Sequence, residues 1–410
     1  MNFEALERIP EEELARRWER CRSLLRTQLP DAGGVLVFSR MNIYYFTGSW
    51  TNGVFWLPVE GRPMLLVRKG IERVRLESGV EHVATYRSFR ELSDLAKEAG
   101  SPLSEMVGVE MSGLTWALGQ GLAKHLSGYD LRSADSVLHQ TRAVKTPWEL
   151  AKMRLAGARH DRCLRELLPE RIAPGMTERE ISIRIWEVFF SQGHHGLLRM
   201  QNHGEEIFLG HVSAGDSANY PSVFDGPVGL RGQHPAVSHM GYAGTVWNAG
   251  EPLTLDVGFA LEGYQTDKTQ VYWAGACEDI PEQARRAHDF CVAVQGWLAE
   301  NLRPGAVPSR LFQHCWDWAE QEGWSQGFMA LGGNKVRFLG HGIGLAIDEW
   351  PALAKGFETP LEQGMVLALE PKIGLPGLGM VGVENTFEVT SDGGRCLTGN
   401  DFSMVCVAAD

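Results

Sequence analysis

Two pairs of acidic residues and one glycine-flanked histidine are the parts of this sequence best suited to chemistry. Asp256 and Asp267 lie in the apolar stretch Leu253 to Gln270, which reads as two β-strands folded at Leu261-Glu262-Gly263. Folding there sets the two aspartates opposite each other, at a cross-strand Cβ separation of about 5 Å. Glu370 and Glu384 stand in the same relation in a second hairpin, folded about Gly377. Carboxylates that close repel unless one takes a proton or a cation lies between them, and glutamates on apolar strands are expensive to bury unless paired or ligating. His341 sits in Gly340-His341-Gly342-Ile343-Gly344, where the glycines let its imidazole approach a cation closely. Together the five residues describe an oxygen-rich site with room for two divalent ions sharing bridging carboxylates.

The rest of the chain has to position these groups. With 410 residues there is length for two domains, and 44% hydrophobic with 22% charged residues is the composition of an ordinary globular chain. A net charge of −12 argues against nucleic acid as a partner, and no run of about 18 apolar residues offers a membrane span. The acidic amino terminus lacks the basic and apolar regions of a signal peptide, so a cytoplasmic location is expected. The seven cysteines are scattered and without a Cys-x-x-Cys pair, which indicates neither a disulfide framework nor a zinc knuckle.

Residues 11 to 29 read as an amphipathic helix. Apolar runs at Gly34 to Phe38, Ile43 to Phe46, Val54 to Val59 and Met64 to Val67 read as strands, and helices and strands alternate from residue 70 to 127. This predicts an α/β domain over residues 1–143, without a catalytic constellation, that shapes a substrate mouth or a dimer interface. Thr146 and Pro147 are the cap and first turn of a long helix that opens a second domain, residues 144–410.

In that domain the sequence repeats itself. Pro174-Gly175, continuing to Trp186, matches Pro304-Gly305, continuing to Trp316, at a constant offset of 130 residues. The repeat predicts two α-β halves whose sheets meet at a pseudo-twofold centre. Between Gly196 and Gly244 lies a stretch rich in Gly, Ser and His, in and beside which stand His194, His195, Arg199, His203, His211, Asp225, Arg231, His234 and His239. His239 stands apart, because it precedes Asp256 by 17 residues and leads through the turn-like Asn248 to Pro252 into the first acidic strand.

Asp256, Asp267, His341, Glu370 and Glu384 resemble, in order and context, the five metal ligands of the pita-bread metallopeptidases, the family of methionine aminopeptidase, aminopeptidase P and prolidase. Asn42 to Gly48 and the linker Arg142-Ala143-Val144-Lys145 are similar to the creatinase-type domain of the prolidase branch. The resemblance implies an α+β protein, with a pita-bread catalytic domain behind a creatinase-type α/β domain, acting as a peptidase of the Xaa-Pro aminopeptidase or prolidase type. It further implies two divalent ions, of which oxygen-dominated ligation favours Mn over Co, Fe or Zn; a homodimer is expected from the interface role given to the first domain. By the same resemblance a metal-bridging hydroxide attacks the scissile carbonyl, Glu370 shuttles the proton and His239 steadies the substrate.

Three departures qualify this. Asp348 stands where the family keeps a histidine, and Gly382 and Gln270 stand where it keeps arginines that clamp a dipeptide's carboxylate. Losing the clamp disfavours a strict dipeptidase, with Arg199 or Arg231 as substitute anion contacts. Asp348 as a general base opens an alternative, elimination or C–N hydrolysis on a small molecule of the dimethylsulfoniopropionate type.

Overall fold

The computed structural model describes residues 3–201 and 207–408, so His203 lies outside the described residues. The chain divides into two compact units, Met1–Arg142 and Ala143–Asp410.

The first unit contains helices α1 (Glu11–Gln28), α2 (Arg40–Thr47), α3 (Ile71–Glu77), α4 (Leu92–Glu98), α5 (Trp116–His125) and α6 (Asp135–Ala143). They alternate with strands β1 (Ala32–Val37), β2 (Gly53–Pro58), β3 (Met64–Val67), β4 (His82–Thr85), β5 (Met106–Val109) and β6 (Asp130–Ser133). The six strands form one sheet in the order β4-β3-β2-β1-β5-β6. Its interior strands β2 and β3 are buried along their whole length, which is why they read as unbroken apolar runs.

One expectation fails here. Ile43 to Phe46 belongs to α2 rather than to a strand. Ser39 accepts a hydrogen bond from the Asn42 amide at the helix start, and Gly48 ends the helix in the left-handed conformation at φ 82°. A four-residue apolar run cannot by itself distinguish a buried strand from a helix turn; the flanking caps decide it.

In the second unit, Thr146 and Glu149 form a reciprocal capping box ahead of α7 (Pro147–Arg162), which continues through a wider turn at Cys163–Leu167. α8 (Glu178–Ser191) and α10 (Pro308–Gln321) are the helices of the repeat, each 14 residues long, and α9 (Glu282–Asn301) precedes the second of them. Beside α7 and α8 lie β7 (Gly210–Ala214), β8 (Pro252–Leu261) and β9 (Tyr264–Ala274), with β17 (Val405–Val407) on the far edge. Beside α9 and α10 lie β10 (Phe338–Gly342), β11 (Glu349–Ala354), β12 (Val366–Leu369), β15 (Asn385–Thr390) and β16 (Gly393–Cys396). β13 (Lys372–Leu375) and β14 (Gly379–Gly382) form a separate hairpin.

The repeat therefore extends into three dimensions. Ile181, Ile185 and Phe189 of α8 pack with Leu255, Val257 and Phe259 of β8 in one core. Leu311 and Phe312 of α10 pack with Leu339, Leu367 and Phe387 in the other. Where the two sheets meet, the Thr269 amide donates to the Glu384 carbonyl at 3.1 Å.

A second expectation fails at the sheet edge, since Cys277 and Cys406 form a disulfide. They are 129 residues apart, and parallel pairing of β17 with β9 brings them together. Long-range pairing of this kind leaves no local spacing to read.

Candidate metal centre

The acidic groups converge where the two sheets meet. The β8–β9 turn is the two-residue Glu262-Gly263, with φ 51° and 90°, closed by the pair Leu261 and Tyr264. This moves the register by two from the expected pairing, so Asp256 faces Thr269 and Asp267 faces Gly258. The aspartates are diagonal rather than directly opposite. A shift of two leaves both on the same face, because strand side chains alternate with period two, and the site survives the error.

The second hairpin needs no such correction. Leu369 pairs with Asn385 on one side and Lys372 with Gly382 on the other, which puts Glu370 opposite Glu384. His341 comes from β10, whose neighbour is β12. The ligand atoms of Asp267, His341 and Glu384 all lie within 4.8 Å of one another. His341 Nε2 is 3.7 Å from both Glu370 Oε1 and Glu384 Oε1. His341 Nδ1 is 3.1 Å from the Gly342 carbonyl, which can only accept, so Nδ1 carries a proton and Nε2 faces the carboxylates.

A cation already stands on the other side of the cluster. Lys372 is fully buried, and its Nζ lies 2.6 Å from Glu384 Oε2, 3.3 Å from Glu370 Oε2 and 3.7 Å from Asp256 Oδ2. Asp256 Oδ1 is taken by the Thr269 hydroxyl at 2.9 Å, and that hydroxyl is 3.1 Å from Glu384 Oε2. Each glutamate is thereby divided, with Oε1 toward His341 and Oε2 toward Lys372. Three carboxylates and one imidazole nitrogen suit a divalent ion on the His341 side; on the Asp256 side the donors are engaged by the ammonium.

The electrostatics follow this division. Without a divalent ion, burial and then Glu384 push Asp267 up to about 8 and Glu370 up to about 7. Asp256 is raised well above the carboxylate range, mainly by burial. Glu384 goes the other way: burial opposes its charge, but Lys372 and His341 outweigh it and hold the group ionised. Burial likewise opposes protonation of His341, yet the surrounding carboxylates raise it to about 10. A divalent ion would replace those shared protons.

The other expected residues have contacts of their own. His239 precedes Met240, which bridges His211 on β7, and its ring centroid is 6.3 Å from that of Phe208. Asp348 accepts from the Gln201 amide at 2.6 Å, an anchor for the chain there. Gln270 donates to the Val271 and Ser403 carbonyls and accepts from Arg165, so it is spent on structure. Gly382, at φ 144°, faces Lys372, and a Cβ there would meet the Lys372 Cα at 2.6 Å. The Arg231 guanidinium lies 4.4 Å over the Tyr242 ring, and the Arg199 backbone is tied to Gln265 and Ile347.

Sequence reasoning gave no role to Lys372, and missed Thr269 and His211 as neighbours of Asp256. Two signals were present. Lys372 is two residues from Glu370 and so shares its strand face. Phe208-Leu209-Gly210-His211 repeats as Phe338-Leu339-Gly340-His341 at the same offset of 130, which makes His211 the counterpart of His341. His211 is paired in register with Asp256 and buried, with neither ring nitrogen hydrogen-bonded among the described residues. Burial, then Lys372 and His239, push it down to about 4.

Comparison with known proteins agrees with this architecture. The sequence pattern of Metallopeptidase family M24 matches residues 151–391, and that of the Creatinase/Prolidase N-terminal domain matches residues 17–144. The chain belongs to metallopeptidase family M24, in the pita-bread fold behind a creatinase-type domain, and is a peptidase hydrolase by class. The family implies divalent metal ions. Among relatives, the Xaa-Pro dipeptidase of Pyrococcus furiosus is 24% identical over 365 residues, covering 89% of this chain and 92% of that protein. The probable dipeptidase PepE of Mycobacterium tuberculosis is 28% identical over 261 residues, 63% of this chain and 60% of that one. Dipeptidase PepE from Mycobacterium ulcerans superposes with a TM-score of 0.77 at 23% identity, covering 98% of this chain and all of that one. The prolidase from Pyrococcus horikoshii gives 0.74 at 21% identity over 95% and 99%.

Proposed function

We propose that this protein is a metal-dependent peptidase that hydrolyses short peptides at an Xaa-Pro bond, dipeptides among them. The observation that carries the reading is the convergence of Asp267, His341 and Glu384 within 4.8 Å, with Glu370 beside them. These four residues would hold the ion; Mn²⁺ suits an oxygen-rich set of this kind. A bound divalent ion there would supply Lewis acidity and make water a nucleophile at neutral pH.

The protein's own groups supply the rest. Glu370, beside His341 and Glu384, is the group proposed to take a proton from the attacking water and return it to the leaving amine. His341 is oriented by its Nδ1 contact to Gly342, and Thr269 holds Asp256 and Glu384 in register. His239, entering from the segment before β8, contacts substrate. The relatives named as dipeptidases support including dipeptides, although Gly382 and Gln270 offer no arginine clamp; a dipeptide's carboxylate would then be met by another cation, with Arg199 and Arg231 the candidates. Small-molecule elimination through Asp348 is the less supported reading, since the relatives are named as peptidases and the geometry shows for Asp348 an accepted hydrogen bond from the Gln201 amide. The proposed assembly is a dimer, which sedimentation at working concentration checks.

The test is cleavage of Xaa-Pro dipeptides, Xaa-Pro tripeptides and proline-free dipeptides by chelator-stripped and Mn²⁺-reloaded protein. Cleavage that depends on added metal and on proline is expected. Metal-loaded protein that splits none of these peptides overturns the reading.

A further inference from the structure

We infer that the Lys372 ammonium takes the place of one ion of the expected pair, so that this chain holds a single divalent ion. The inference rests on the peptidase reading only for its choice of ligand set.

The three oxygens nearest Lys372 Nζ are Glu384 Oε2 at 2.6 Å, Glu370 Oε2 at 3.3 Å and Asp256 Oδ2 at 3.7 Å. Glu384 Oε2 and the Asp256 carboxylate are what an ion on the Asp256 side would need, at the roughly 2.0–2.2 Å typical of metal–oxygen bonds. An ammonium hydrogen-bonded to Glu384 Oε2 and in ion-pair contact with Asp256 Oδ2 occupies the space between them that an ion would need. Asp256 Oδ1 offers no substitute, since Thr269 Oγ1 lies 2.9 Å from it.

Lys372 has no easy way out. Its side chain is 0% exposed, its carbonyl accepts from the Met329 amide at 2.9 Å, and its backbone faces Gly382, where even a Cβ would collide. Withdrawing the ammonium would leave a buried charge unpaired and three carboxylates uncompensated, which is costlier than the contact itself. Charge is compatible with this but does not choose: with Lys372 beside the four carboxylates of Asp256, Asp267, Glu370 and Glu384, one dication leaves a net charge of about −1 and two leave about +1, so the geometry carries the inference. The Oε1 atoms of both glutamates, Asp267 and His341 Nε2 remain for that one ion.

The experiment is elemental analysis of purified protein equilibrated with excess Mn²⁺ and freed of unbound ion, for the natural chain and for Lys372→Gly. We expect roughly one ion per natural chain and roughly two in Lys372→Gly. Roughly two in the natural chain, one in both, or none in either would each overturn the inference. Should Lys372→Gly fail to fold, electron paramagnetic resonance of the Mn²⁺-loaded natural protein decides alone: an isolated six-line spectrum supports a single ion, and an exchange-coupled spectrum overturns it. Both readouts are independent of peptide cleavage, so an enzyme that binds one ion yet cleaves nothing would sink the peptidase reading and leave this one standing.

Discussion

The same four residues, Phe-Leu-Gly-His, lead into β7 and open β10, yet the two histidines end in opposite states. His341 lies among Glu370, Glu384 and Asp267 and is raised to about 10. His211, beside Asp256, is pushed down to about 4 by burial and by Lys372. Both sit in a strand next to an acidic hairpin, so local sequence cannot be the cause. The difference lies in the surroundings: Glu384, Glu370 and Asp267 raise His341, whereas at His211 burial, then Lys372 and His239, outweigh the pull of Glu384 alone. Duplication supplies two similar half-sites, and the side chains that reach them from other strands make them unequal.

Breaking the His341 half should have the largest effect. His341→Ala is expected to lower metal affinity and peptide turnover by more than about a hundredfold, measured by Mn²⁺ titration and steady-state kinetics. His211→Ala should leave metal affinity within about tenfold; equal losses in the two variants would mean that the half-sites are not unequal as described.

The next effect sharpens the role of buried neutral imidazoles beside β8. His194 Nδ1 accepts from the Ala260 amide at 2.8 Å, and burial, then His195, push the group down to about 4. Its folded value lies below the ordinary value of about 6.5, so its contribution is fully present above that pH and is lost as the pH falls toward 4. Urea midpoints at pH 7.5 and 5 should differ less in His194→Gln than in the natural chain, by on the order of 1 kcal/mol.

A smaller effect lies where the halves touch. Thr269→Val removes the hydroxyl shared by Asp256 and Glu384 and should cost about 1 to 2 kcal/mol of stability in metal-free protein, read by thermal denaturation. The smallest contrasts the repeat helices. Thr177 caps α8 with a full capping box, whereas Val307 at the equivalent position of α10 makes no side-chain cap. Thr177→Val should therefore cost about 1 kcal/mol, and Val307→Thr should gain a few tenths, both from denaturant midpoints.

Much of the site was legible in the chain because its constraints are local. Alternation in the hairpins put Asp256 with Asp267, and Glu370 with Glu384, on common faces; the two-residue shift at Glu262-Gly263 did not matter because it preserves that parity. The offset of 130 carried α8 onto α10, and pursued further it would have carried His211 onto His341. Thr146, Pro147 and Glu149 announced α7, since a cap is decided within one turn. Ile43 to Phe46 was misread because an apolar run that short lacks a period.

What the sequence determined by itself, then, was the chemical inventory, the two hairpins, the duplicated halves and the class of reaction they suit. Periodicity and turn residues act over a few positions and can be read directly. Only the tertiary structure decided that Lys372 fills one side of the centre, that Cys277 meets Cys406, and that two histidines in identical local sequence carry different charge. Those outcomes depend on charges and chain segments brought together across long separations, where burial strengthens every unpaired interaction and no short pattern records the neighbour.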